Sequence, residues 1–254
     1  MKIILFTQDD PFYLTESTAD LIKKIKEDKK HKIIQSIITD ASVYGKSESF
    51  LKKTLKTYKI FGLNFFLYYS FKFILRKFIL RKSVIKEFEK NKIPVKRISS
   101  NINSKENVKF LRSLNGDVIL IIAGNQIIKK QVLNVTKYGV VNVHSSLLPH
   151  YKGLMPSFWV LKNEENKTGV TLYKLTEGID NGPIISQREF NILKNMSQSD
   201  IIKKCKLLSN DLIIDTLDDL KDESKFTSNS GGSYFKSPSR RDVKDFYSKR
   251  KRFF

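Results

Sequence analysis

Residues 117–153 read DVILIIAGNQIIKKQVLNVTKYGVVNVHSSLLPHYKG. The run at 118–123 is short, rich in Val and Ile and closed by Gly124, and the run after Gly139 empties into the loop SSLLPHYKG. Strands buried on both faces of a parallel sheet read this way. Upstream, similar runs recur at 3–7, 33–38 and 94–98. They alternate with helical patterns at 13–27, in two pieces between Glu48 and Asn91, and at 105–114. This alternation predicts an α/β chain whose parallel strands are joined by crossover helices. Downstream, VTLYKL and PIISQREFNI are predicted to be extended, with the loop TEGIDNG between them marked by its Asp-Asn-Gly cluster and by Pro183. A last helix is expected over 198–220. The polar tail from Asp222 is expected to be irregular, held to the body by Tyr234, Phe235 and Phe246.

Composition narrows the class. A chain of 254 residues can bury a real core without staples, and its single cysteine, Cys205, allows no intrachain disulfide. Cys205 sits in a helical pattern and is read as a small, inert, half-buried side chain. This usage fits a reducing cytoplasm. The start, MKIILFTQDD, has too short an apolar run for a signal peptide and reads as a first buried strand. No window reaches the roughly 18 apolar residues of a membrane span, because Lys72, Arg76 and Lys77 interrupt the most apolar one. The formal net charge of +21 suits an anionic partner without choosing among nucleic acid, membrane surface and phosphorylated small molecules. Nucleic acid is not the expected partner. Residues 49–86 stand out: ten Lys or Arg, no acidic residue and a dense set of aromatics between Phe61 and Phe78. Three readings stay open for 50–86. The preferred one is a pair of crossover helices packing their aromatics on the sheet; the others are a peripheral membrane or partner surface, a homodimer contact included, and a nucleic-acid surface.

Candidate chemistry lies at NVHSSLLPH. Residues two apart in a strand point to one side, so Asn142 and His144 present an amide and an imidazole together at a strand's carboxyl end, where open parallel sheets bind ligands. That pair alone is a weak signal. The order AGNQIIKK, NVHSSLLPHYKG, GVTLYKLTEGIDNGPIISQ is a stronger one, with Asp180 following His144 by 36 residues. Over some 75 residues it resembles the folate-dependent formyltransferases, which act on glycinamide ribonucleotide, methionyl-tRNA or nucleotide-linked amino sugars.

The resemblance implies an α/β, Rossmann-like, mostly parallel sheet flanked by helices. It implies a formyltransferase catalytic domain over 1–221, with a basic C-terminal extension over 222–254. Asn142, His144 and Asp180 are the implied catalytic set. The implied co-substrate, 10-formyltetrahydrofolate, would be read by Gln126, Ile127 and Ile128 and by Thr176, Glu177 and Gly178, with Ile127, Ile128, Leu147 and Leu148 as apolar walls. Ser145, His150 and Lys152 would face the amine acceptor; His150 replaces the usual Lys or Arg and is also read as a plain surface group. Trp159 is expected on the packed face of a helix. No metal is expected, because three scattered histidines and one cysteine offer no ligand spacing.

The acceptor is expected to be a small amine, phosphorylated or nucleotide-linked. The loop TQDDPFYLTES after the first strand is a poor phosphate cradle, which counts against glycinamide ribonucleotide, the alternative acceptor. The chain after the last strand is short for the second domain of the tRNA enzymes. An amino sugar on a nucleotide is therefore the expected acceptor. An inactive RNA- or membrane-binding family member is the remaining alternative, and its mark, a lost catalytic residue, is absent.

Overall fold

The computed structural model describes residues 1–39, 50–99 and 101–254. The first strand, β1 (Lys2–Gln8), leads through α1 (Leu14–Asp28) to β2 (Lys32–Thr39). The expected helical start at Glu48 lies outside the described residues. Beyond them come α2 (Phe50–Phe61) and α3 (Leu63–Ile74), which continues as one wide π turn over Leu75–Ile79, and then α4 (Val84–Lys90) and β3 (Val95–Ile98). α5 (Lys105–Ser113), β4 (Val118–Ile122), the single-turn α6 (Lys130–Leu133) and β5 (Val140–His144) complete the parallel part.

After β5 the chain forms β6 (Lys152–Gly153), α7 (Pro156–Lys162), β7 (Lys167–Lys174), β8 (Ile184–Asn191) and α8 (Gln198–Thr216). The last elements are β9 (Tyr234–Phe235) and α9 (Arg240–Ser248). The main sheet has the order β3-β2-β1-β4-β5-β7-β8. The five strands from β3 to β5 are parallel, and β7 and β8 are antiparallel to their neighbours.

Both faces of the parallel strands are covered, which explains their near-continuous apolar runs. On one face Ile3, Leu5, Val118, Leu120 and Val141 pack with α1, α4 and α8 through Leu21, Phe88 and Ile213. On the other, Ile4, Phe6, Ile119, Ile121 and Val140 pack with Val108 and Leu111 of α5. α8 opens on a reciprocal cap between Ser197 and Asp200 and buries Cys205 against the Gly169 carbonyl. Burial pushes the Cys205 thiol up to about 12, so it stays protonated and inert.

Two expectations change. The aromatic stretch is not a pair of helices laid on the sheet: α4 makes that crossover with buried Val84, Ile85 and Phe88, whereas α3 has no buried residue. Phe61 and Phe65 instead pack on Phe253, with Phe254 stacked on Phe65, and Tyr69 stacks on Phe12 at 4.3 Å between ring centres. The tail is also ordered rather than irregular. A reciprocal Ser239–Asp242 cap starts α9, which places the fully buried Phe246 4.9 Å from Phe158 and 4.7 Å from Phe253. Its polar surface hid a helix that needs only one apolar stripe.

Phe246→Ala is expected to lower the unfolding free energy by about 3–5 kcal/mol, the usual cost of deleting a buried ring. Urea denaturation measures it, and a loss under about 1 kcal/mol would mean that the tail does not belong to the core.

Candidate active site

The site is built where the sheet changes from parallel to antiparallel. In the antiparallel pairing of β5 with β7, Asn142 stands opposite Tyr173 and His144 opposite Thr171. All four project to the side of Val140, because strand side chains alternate. β7 loses register with β8 between Leu172 and Tyr173, an irregularity of the kind that re-aims a side chain beside a site. Tyr173, nearly fully buried, thus reaches between two partners. Its hydroxyl donates to Asp180 Oδ1 at 2.6 Å and accepts from Asn142 Nδ2 at 2.9 Å. A phenol has one proton, and a carboxylate only accepts, so the amide must turn its nitrogen to Tyr173. One Nδ2 hydrogen has no partner among the described residues. Asn142 Oδ1 is buried and also has none among them.

Asp180 lies in the β7–β8 loop with a left-handed backbone, φ 51°, a conformation that aspartate tolerates better than most residues. Its Oδ2 accepts from the Gly153 amide at 2.7 Å and lies 3.6 Å from His144 Nδ1. His144 Nε2 sits 2.7 Å from the Tyr151 carbonyl. A carbonyl can only accept, so Nε2 carries a hydrogen, and Nδ1 is the ring nitrogen turned toward Asp180. Both side chains are about nine-tenths buried. Burial first, and then the Asp180 charge, raises the Tyr173 phenol well above its usual range and keeps the proton that the network needs.

The loop is held from the far end of the chain. Asn229 Nδ2 donates to the carbonyls of Asp180 and Gly182, at 2.8 and 2.9 Å. Its own carbonyl and Asn181 Oδ1 accept from Lys152 Nζ at 3.0 and 2.8 Å. β9 pairs with β6, and Ser233 Oγ accepts from the Tyr151 amide. Gly182 closes the loop where a Cβ would overlap the Lys174 carbonyl. Gly153, at φ 95°, likewise lets the chain pass against the Phe235 carbonyl.

The structure therefore brings Asn142, His144 and Asp180 together through Tyr173, for which no role was read from the sequence. The sequence carries one trace of it, since Tyr173 alternates with Thr171 in VTLYKL; only the register shows its partner. Asn229, in a polar Ser-Asn-Ser-Gly-Gly run, gave no signal. Lys152, expected to face an acceptor, is buried, and its ammonium bonds within the protein. His150 is exposed and Ser145 half-buried. Thr176, Glu177 and Gly178 are exposed. Gln126 Oε1 accepts from the Ile102 amide. Of the expected apolar walls, Ile127 is exposed and Leu147 half-buried, while Ile128 and Leu148 belong to the core. Trp159 lies on the packed face of α7, with its ring 4.8 Å from that of Phe235 and its Nε1 donating to the Lys236 carbonyl.

The loop after β1 is no anion cradle. Asp10 Oδ1 and Oδ2 accept from the Phe12 and Tyr13 amides just before α1, and Asp9 Oδ1 accepts from Ser83 Oγ and the Val84 amide at the start of α4. The chain's own carboxylates fill the positions that a phosphate would take. Among the described residues no three His, Cys, Asp or Glu side chains gather as a metal site.

A seven-stranded, mostly parallel sheet with a polar constellation at the carboxyl end of β5 defines an α/β fold with a ligand-facing strand edge. The model of the formyl transferase family matches residues 73–217, more than half of the chain, and the chain belongs to that family. It is 40 % identical over 121 residues to methionyl-tRNA formyltransferase from Thermotoga neapolitana, covering 48 % of this chain and 39 % of that protein. The match thus spans about two fifths of that relative's length. Among solved structures, phosphoribosylglycinamide formyltransferase from Anaplasma phagocytophilum superposes with a TM-score of 0.63 at 14 % identity, over 93 % of this chain and 99 % of that one. The N-formyltransferase from Helicobacter canadensis, in complex with folinic acid and dTDP-3-aminofucose, gives 0.54 at 19 % identity, over 95 % and 72 %. These likenesses confirm the fold.

Tyr173→Phe leaves Asn142 and Asp180 without their shared hydroxyl and is expected to cost about 1–3 kcal/mol in urea unfolding near neutral pH. The folded phenol pKa is raised, so this contribution is whole below the unfolded value near 10 and fades as pH climbs above it. A variant within about 0.5 kcal/mol of the parent at pH 7 would show that the network contributes nothing to stability.

Proposed function

We propose that this chain transfers the formyl group of 10-formyltetrahydrofolate to a primary amine, with an amino sugar carried on a nucleotide as the acceptor. The observation that carries the transfer is the linked set Asn142–Tyr173–Asp180–His144. When the amine attacks the formyl carbon, a C–N bond forms and the carbonyl oxygen gains negative charge. The second Nδ2 hydrogen of Asn142, held in place by Tyr173, is the donor for that oxygen. His144 Nδ1, whose lone pair is set by the Tyr151 carbonyl, takes the proton that the amine loses, and Asp180 stabilises the imidazolium so formed. The same proton returns to the folate nitrogen as its C–N bond breaks, which leaves a formamide and tetrahydrofolate. Main-chain groups around Gln126, Ile127 and Ile128 and the exposed loop 176–178 are the elements proposed to read the pterin. The buried Cys205 thiol fits a cytoplasmic setting.

Support for the acceptor is of two kinds. The anion position before α1 is filled by Asp10, which disfavours a ribonucleotide phosphate held there. Beside Asp180 lies an open depression of about 410 Å³ lined by Lys152, Asn181, Pro183, Ser228, Asn229, Ser230 and Gly231; its serine hydroxyls can bond a sugar, while the Lys152 ammonium is already held by Asn181 and Asn229. A second reading, methionyl-tRNA as the acceptor, is favoured by the 40 % identity to the Thermotoga protein.

Absorbance at the tetrahydrofolate band, with 10-formyltetrahydrofolate and a panel of nucleotide-linked 3- and 4-amino sugars, glycinamide ribonucleotide and charged initiator tRNA, tests both levels. Turnover is expected with an amino sugar. It should fall at least about a hundredfold in Asn142→Ala and in His144→Ala. Turnover with charged tRNA alone would move the acceptor to the second reading. Unchanged turnover in His144→Ala would overturn the catalytic assignment.

A further inference from the structure

The outer face of α3 and the turn after it carries a row of large apolar side chains. Leu63, Leu67, Phe71, Ile74 and Phe78 recur every three or four residues, and Ile79 and Leu80 follow; all seven are between 52 and 66 % exposed. At 1.5 Å per residue the row from Leu63 to Phe78 is about 22 Å long. A surface helix normally turns such a stripe inward. This one turns a second apolar stripe inward instead: Phe65 packs on Phe253 and Phe254, while Tyr69 and Phe73 lie against Phe12. Arg76 fixes the helix further, with Nε donating to the Pro11 carbonyl and its guanidinium paired with Glu16 at 2.5 Å. The outward row is therefore held in place by the body of the protein and left uncovered by the described residues.

Charge selects what covers it. Residues 50–86 hold ten Lys or Arg and no Asp or Glu; Arg76 and Lys82 pair with Glu16 of α1, while Lys77 and Arg81 are exposed beside Phe78, Ile79 and Leu80. A symmetric pair of chains would press two such faces together and place like charges against each other. Nucleic acid would match the charge and have no use for an aliphatic row. We infer that this face docks on an anionic lipid bilayer, with the Leu, Phe and Ile side chains in the interface and the cations among the head groups. No helix among the described residues is long and apolar enough to cross a membrane, so the contact is peripheral.

Sedimentation with vesicles tests this on the whole chain. At low salt the protein is expected to pellet with phosphatidylcholine vesicles containing about 30 % phosphatidylglycerol and to stay in solution with phosphatidylcholine alone. Leu67→Gln/Phe71→Gln/Phe78→Gln should lower the partition coefficient by about a thousandfold, since each lost side chain is worth about tenfold. Lys77→Gln/Arg81→Gln should lower it by roughly fivefold per charge and make its fall with added salt shallower. These side chains are exposed, so thermal melting should be unchanged and report intact folding. Three results would overturn the inference: no pelleting of the parent chain, a triple variant that binds within about threefold of it, or light scattering that shows a dimer which the triple variant dissolves into monomers.

Discussion

The Tyr173 hydroxyl has a single proton, and the geometry of the site follows from where it goes. Asp180 takes it, so the Asn142 amide must face the phenol with its nitrogen, and the opposite flip would leave two acceptors against each other. The Tyr151 carbonyl makes the corresponding choice for His144: it holds a hydrogen on Nε2 and turns Nδ1 toward Asp180. Two side chains that could each take two orientations are thereby set without any ligand. Preorganisation of this kind matters because a donor already aimed at developing charge pays no reorganisation cost when the charge appears. Burial of Tyr173 keeps the arrangement in one protonation state.

Sheet topology makes this arrangement attainable. Antiparallel pairing sets residues directly opposite each other, so Asn142 meets Tyr173 across the β5–β7 seam. A parallel neighbour would have offset the two. The seam also marks where the loops that cover the site begin, at 145–155 and 175–183. Those loops carry little apolar surface of their own and depend on hydrogen bonds from residues 226–236.

Much of this was legible in the sequence. The five parallel strands were, because a strand buried on both faces leaves an apolar run that composition alone exposes. The proximity of Asn142, His144 and Asp180 was, through the family resemblance that their motifs carry. Tyr173 was not, since its role depends on strand register, which pairs residues 31 positions apart. Asn229 was not either, because an amide that serves backbone carbonyls leaves no periodic trace. The tail misled for another reason: α9 buries only Val243 and Phe246, so charge dominates its composition while two side chains decide its fate. The aromatic stretch was read correctly as helical, but composition could not tell an inward stripe from an outward one when a helix has both.

The strap formed by residues 226–236 has a consequence for dynamics. Loops over a ligand site usually open independently of the core, as low-stability units. Here the backbone of Asp180 and Gly182 hangs on Asn229, and the strand that follows Asn229 is pinned beside Trp159 before the chain enters α9. Loosening the aspartate loop therefore means peeling away a segment anchored in the aromatic core through Phe246. The site and the chain's final helix form one cooperative unit, in which breathing at one is protected at the other.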